Sequence, residues 1–202
     1  MRDGKKTRPP GRPRAYDPAV ALDSAAEVFW AKGFADTSLD DLSSSMGMGR
    51  PSIYNAFGDK EALFLHALER FRDTIASAPL RAMDGQDSIG GALDALFRGV
   101  VEYTTADRSH LGCLLGSVAP VADSPQVRDF LSANLAEIEA QIADRLSAAV
   151  RSGQLPADYS AEQGARRAVN AMLALAARAR LGTSREELLA DAADATSAAL
   201  GT

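Results

Sequence analysis

The chain has 202 residues, 46% of them hydrophobic and 24% charged, with a formal net charge of −5. That composition is ordinary for a folded globular protein and argues against disorder, and the length suits one large domain or a small one joined to a medium one. The sequence shows no apolar run of about 18 residues and no apolar stretch behind the basic N-terminus, so neither a membrane span nor a secretory signal is expected. The single cysteine, Cys113, cannot close an internal disulfide, which fits a reducing cytoplasmic setting.

Charge is segregated along the chain. Residues 1–16 carry Arg2, Lys5, Lys6, Arg8, Arg12 and Arg14 against Asp3, a local charge of +5, which leaves −10 for the remainder. This segment is rich in glycine and proline, cannot build a core, and is expected to be a disordered basic arm. It is either a solvated tail or a minor-groove arm; in the second case Arg12 and Arg14, nearest the folded part, are the candidate contacts.

Asp17-Pro18 predicts a helix start, and Leu22, Ala25, Ala26 and Phe29 follow the i, i+3, i+4, i+7 rule of a buried face. Trp30 beside this stripe reads as packing. Gly33 predicts the helix end. A second helix follows, with Thr37 and Ser38 as candidate caps, Asp40 and Asp41 in the first turn, and Leu39, Leu42 and Met46 inward. Met46-Gly47-Met48-Gly49 predicts a sharp turn, because glycine tolerates the left-handed backbone such a turn needs. A third helix is expected over Arg50 to Phe57, with Pro51 in its first turn, Gly58 at its end and Asp59 capping the next helix. Helix, glycine turn and helix form the layout in which the second helix enters the DNA major groove. Ile53 and Phe57, four apart, should face inward and turn Arg50, Ser52, Tyr54 and Asn55 outward. Arg can pair with guanine and Asn with adenine, so Arg50, Ser52 and Asn55 are the candidate base readers; the alternative is a merely solvated face.

At these residues the chain resembles the TetR (tetracycline-repressor-like) family of bacterial transcription regulators. The resemblance is carried by Phe29, Gly33-Phe34, Thr37-Ser38-Leu39, Leu42, Met46-Gly47-Met48, Ser52-Ile53-Tyr54, Phe57, Lys60-Glu61 and Leu63, about the first third of the chain. Gly49 departs from the pattern, standing where the family usually has a Ser or Thr cap. The resemblance implies phosphate contacts from Tyr54, Lys60 and Thr37 or Ser38. It also implies a C-terminal ligand-sensing domain and a homodimer formed by the last two helices.

Beyond Glu61, the residues Leu63, Phe64, Ala67, Leu68 and Phe71 predict a connecting helix, with breaks at Ala78-Pro79 and through Asp84-Gly85-Gln86-Asp87. Further helices are expected from Ser88 to about Asp107 and from Ser124-Pro125 to Gly153. Two last ones open at Ser160 with Gln163 and at Ser184 with Glu187, both read as capping boxes. Residues 108–122 read as irregular and apolar. The expected architecture is therefore all-α: a basic arm over 1–16, a three-helix helix-turn-helix DNA-binding domain over 17–60, a connecting helix over 61–78, and a larger helical ligand-binding and dimerisation domain over 79–202.

The C-terminal part shows no phosphate cradle, paired carboxylates or nucleophile elbow, so no enzyme, cofactor or metal is expected. An enzyme that has borrowed a helix-turn-helix is the remote alternative. Phe97, Val101, Tyr103, Cys113, Leu114, Phe130 and Met172 are candidate lining for a small-molecule effector pocket, each also a candidate for plain core. Cys113, three residues from His110 in an apolar stretch, is a core thiol, an oxidant or electrophile sensor, or a metal ligand. Ala165, Ala168, Ala171, Ala174, Ala176 and Ala177 allow close helix approach, within one subunit or between two. The expected function is a ligand-responsive regulator, a repressor holding a palindromic double-stranded operator as a homodimer. The alternative is an oxidant- or electrophile-sensing regulator working through Cys113.

Overall fold

The computed structural model describes residues 16–106 and 112–201. Arg12, Arg14, Asp107 and His110 lie outside the described residues. Among those described, nine α-helices form and no strand does. No helix is long and apolar enough to cross a membrane.

The first four helices are α1 (Pro18–Asp36), α2 (Leu39–Met46), α3 (Arg50–Phe57) and α4 (Lys60–Phe71). Asp17 caps α1 by accepting from Ala19 N at 2.8 Å, with Pro18 at the first position. Gly33 has φ 81° and ψ 168° and breaks the helical path before Asp36. Ser38 and Asp41 close a reciprocal capping box on α2, and Asp59 caps α4. Thr37, expected as a cap, is instead buried, and its hydroxyl donates to Gly33 O at 2.6 Å. α1 packs on α2 and α4. Their shared core is aromatic: the Phe29 and Phe64 rings lie 4.6 Å apart, and Trp30 meets Phe71 edge-on at 5.0 Å.

After α4 the chain widens into a π turn, Arg72–Ala76, and the expected break at Ala78-Pro79 is a short helix, α5 (Ala78–Ala82), with proline in its first turn. α6 (Ile89–Thr105) is followed by a second π turn, Leu114–Val118, and a 3₁₀ turn, Ala119–Val121. Then come α7 (Pro125–Arg151), α8 (Ala161–Arg180) and α9 (Arg185–Leu200). Ser184 and Glu187 form the expected capping box. At α8 only half of it exists: Ser160 accepts from Gln163 N, with no return bond from the Gln163 side chain.

α6, α8 and α9 pack on one another, with α7 along α8 and α5 along α6. The core of the first four helices continues into Leu114, Leu115, Val118 and Val127. Two polar ties reinforce that continuity. Ser124, fully buried at the start of α7, donates to Glu61 in the first turn of α4 at 3.0 Å, and Arg180 donates to Trp30 O at 3.2 Å.

Candidate nucleic-acid interface

The α2–α3 turn is made by Gly47, in the left-handed region at φ 62° and ψ 27°, with its N–H returned to Ser43 O. A Cβ there would carry the strain of that conformation. Met48 N also donates to Ser43 O, at 3.1 Å, and the Met48 side chain is buried, so the turn is pinned from inside. Gly49 caps α3 without a side-chain bond, consistent with its departure from the family pattern.

α3 buries Ile53 and Phe57 and exposes Arg50, Ser52, Tyr54 and Asn55, the division that their spacing predicts. Arg50 does not project freely. Its Nε donates to one Asp40 oxygen at 2.9 Å and its Nη2 to the other at 2.5 Å, and this pairing raises its pKa. Ser38 stays exposed at the head of α2, bound to Asp41, whose carboxyl is held well below the usual range by Lys32 and then by Ser38. Lys60 is turned inward: its ammonium donates to Phe34 O at 2.8 Å and Thr37 O at 2.9 Å and lies over the Phe34 ring. Thr37 and Lys60 thus tie the α1–α2 junction to α4, while Ser38 on α2 and Arg50, Ser52, Tyr54 and Asn55 on α3 stay exposed. The role of Asp40 as partner of Arg50 was not legible in the sequence, because no helical spacing joins two residues across a turn.

In the C-terminal part a cavity of about 570 Å³ opens between α6, α7, α8 and the second π turn. Tyr103, Cys113 and Met172 line it. Phe97, Val101 and Leu114 do not: all three are fully buried in core, and Phe130 instead lies under the Arg72 guanidinium at 5.5 Å. The reason is helical phase. Phe97 and Val101 sit inside the core shared with α8 and α9, whereas Tyr103, two residues on, is only partly buried at the border between that core and the N-terminal one. The sequence reading missed Leu131, Asn134, Leu135 and Ile138, which form an i, i+3, i+4, i+7 stripe on α7 and line the cavity. An asparagine inside such an apolar stripe was the available signal.

Burial pushes the Cys113 thiol up, against smaller lowering contributions from Tyr103 and nearby backbone, and burial likewise raises Tyr103. A protonated, enclosed thiol is a poor nucleophile. Among the described residues no group of three or more His, Cys, Asp or Glu could hold a metal ion.

Two family profiles match the chain: "Bacterial regulatory proteins, tetR family" over residues 21–67 and "Tetracyclin repressor-like, C-terminal domain" over 91–195. The HTH-type transcriptional repressor BdcR of Escherichia coli K12 is 29% identical over 190 residues, 94% of this chain and 92% of that protein. The HTH-type transcriptional repressor ComR of the same organism is 34% identical over 112 residues, spanning 55% of this chain and 52% of ComR. Among solved structures, the TetR family transcriptional regulator CifR, a cysteine mutant in complex with 26-base-pair double-strand operator DNA, superposes with a TM-score of 0.85. It is 34% identical and is matched over 93% of this chain and 99% of CifR.

Proposed function

The chain belongs to the tetR family of bacterial regulatory proteins, and from that membership we propose that it is a repressor that grips a palindromic operator as a homodimer and lets go when a small molecule enters the α6–α8 cavity. It is a DNA-binding transcription regulator and not an enzyme.

The observation that carries the proposal is the outer face of α3, where Arg50, Ser52, Tyr54 and Asn55 stand over two buried anchors. In this reading Arg50, Ser52 and Asn55 touch base edges, and Ser38 and Tyr54 touch phosphates. Thr37 and Lys60 support them by fixing the helix that carries Ser38. Arg12 and Arg14, outside the described residues, reach the adjacent minor groove. The division of labour follows the sequence: an arm over 1–16, DNA reading over 17–60, a connection over 61–78, and ligand binding and dimerisation over 79–202.

Dimerisation is assigned to α8 and α9: of the alanines singled out in the sequence, Ala165, Ala168 and Ala176 are buried within the subunit and Ala174 and Ala177 stay exposed, as do Leu181 just after α8 (85%) and Ala190, Ala193 and Ala198 on α9. A second copy would cover that apolar face and set two α3 helices about 34–36 Å apart, one turn of DNA. Ligand in the cavity would favour another spacing through its differential affinity for the two arrangements.

A titration against the DNA flanking the protein's own gene, at two salt concentrations and with non-specific competitor, tests this. The expected result is competitor-resistant binding with a two-fold-symmetric footprint. Binding that vanishes with competitor at moderate salt would overturn it, leaving only phosphate attraction.

A further inference from the structure

The cavity shares a wall with a second, shallower groove of about 310 Å³, and Ala76, Asn134 and Ile138 belong to both. Asn134 is only 7% exposed and makes no hydrogen bond with any described residue, and its carboxamide atoms are not fully enclosed but keep open space beside them in the cavity or the groove. A side-chain amide on the wall of an apolar cavity is completed by water or by a ligand group that can donate to it or accept from it. Its neighbours on the same face of α7 are Leu131, Leu135 and Ile138, so the amide is the polar exception in an apolar stripe.

The surroundings limit what could satisfy it. None of the residues lining the cavity is charged. The groove beyond contains three arginines and three acids: Arg72 is bonded to Asp73 at 2.7 Å, Arg145 to Asp84 at 2.6 Å, and Arg81 to the Ser77 hydroxyl, with Glu137 alongside. The groove's three positive and three negative side chains balance and the cavity itself holds no charge, so together they carry no net positive charge for an anion.

We propose that Asn134 is the polar anchor for an uncharged, mainly apolar effector bearing a carbonyl or hydroxyl group. The inference rests on the effector reading above and specifies its chemical class. A carboxamide both donates and accepts, so a ketone, ester or alcohol can complete it, whereas a hydrocarbon leaves it unpaired and a carboxylate brings a charge the cavity cannot balance. The volume falls within the range of about 300–1,000 Å³ usual for small-molecule sites.

The test is calorimetric titration of the full-length protein and of Asn134→Leu with three probes of matched size: benzylacetone (a ketone), butylbenzene (a hydrocarbon) and phenylbutyrate (an anion at neutral pH). For the wild type, benzylacetone should bind about tenfold more tightly than either of the others, the worth of one hydrogen bond. Asn134→Leu should erase the preference for the ketone while keeping or raising butylbenzene affinity, which also shows that the variant folds. The proposal is overturned if phenylbutyrate binds tightest, if the ketone preference survives Asn134→Leu, or if no probe binds. Operator titration of the same preparation without probes reads the DNA-binding proposal separately, so the two can fail independently.

Discussion

Arg50 and Asp40 meet across the helix-turn-helix in a two-point ion pair, Nε at 2.9 Å from one carboxylate oxygen and Nη2 at 2.5 Å from the other. Both side chains are more than half exposed, so the pair contributes little to stability. On the proposed reading its consequence is for recognition: the fork of donors is already occupied, and DNA would have to displace an aspartate to engage it. Arg50→Ala should lower operator affinity about 10–100-fold. Asp40→Asn should instead strengthen binding to unrelated DNA and steepen the salt dependence by about one unit, since it removes one anion from the DNA-facing side. Salt titrations of both variants on specific and scrambled duplexes measure this; an unchanged slope for Asp40→Asn would show that the pair is irrelevant to binding.

Lys60 is a clamp on the α1–α2 junction through Phe34 O and Thr37 O. Lys60→Met should reduce folding stability by about 1–2 kcal/mol, because part-buried carbonyls lose a charged donor. Operator affinity should fall as well, by loosening of Ser38 and not through loss of a phosphate contact. Urea denaturation alongside DNA binding separates the two: weaker binding at unchanged stability would mean Lys60 touches DNA directly.

Ser124 does two things with one hydroxyl. It accepts from Val127 N as the cap of α7 and donates to Glu61 in the first turn of α4. Ser124→Ala should cost about 1 kcal/mol of stability as a lost cap. Glu61→Gln keeps the cap but weakens the tie, and should blunt effector-driven release more than operator affinity. Equal effector response in Glu61→Gln and wild type would remove this link from the coupling between cavity and DNA.

Gly164 faces Tyr159 so closely that an added Cβ would sit 1.9 Å from the tyrosine oxygen, itself hydrogen-bonded to Ala199 O at the end of α9. Gly164→Ala should therefore destabilise by about 1–3 kcal/mol despite the better helix propensity of alanine. Adding Tyr159→Phe should recover part of the loss, so a double-mutant cycle by thermal denaturation should be non-additive.

Cys113 should resist alkylation in the native protein and react readily once unfolded, because burial holds the thiol protonated. The pH sign follows from the raised pKa. Its contribution to stability is full below the unfolded thiol value of about 8.5 and declines as pH rises through the higher folded value. Cys113→Ala should flatten that alkaline decline. Rapid native alkylation accompanied by operator release would support a thiol sensor instead.

What the sequence determined by itself is everything written in local spacing. Asp17-Pro18, Ser38, Gly47, Asp59, and Ser184 with Glu187 set helix starts and turns through bonds between residues two to four apart, so the starts of α1 to α4 and of α9 were legible in the sequence. The division of α3 into Ile53 and Phe57 inside and Arg50, Ser52, Tyr54 and Asn55 outside follows from the same 3.6-residue period. The tertiary structure alone decided which neighbour each face meets. Phe97 and Val101 became core and Tyr103 became cavity wall because α6 carries the first two inside the core shared with α8 and α9 and Tyr103 only at its border. Asn134 became the unpaired polar group of a cavity because α7 crosses α8 there. Arg50 found Asp40 because a left-handed glycine folds α3 back beside the first turn of α2. Periodicity states that a face is buried; which partner buries it depends on packing between elements far apart in the chain, and no local spacing encodes that.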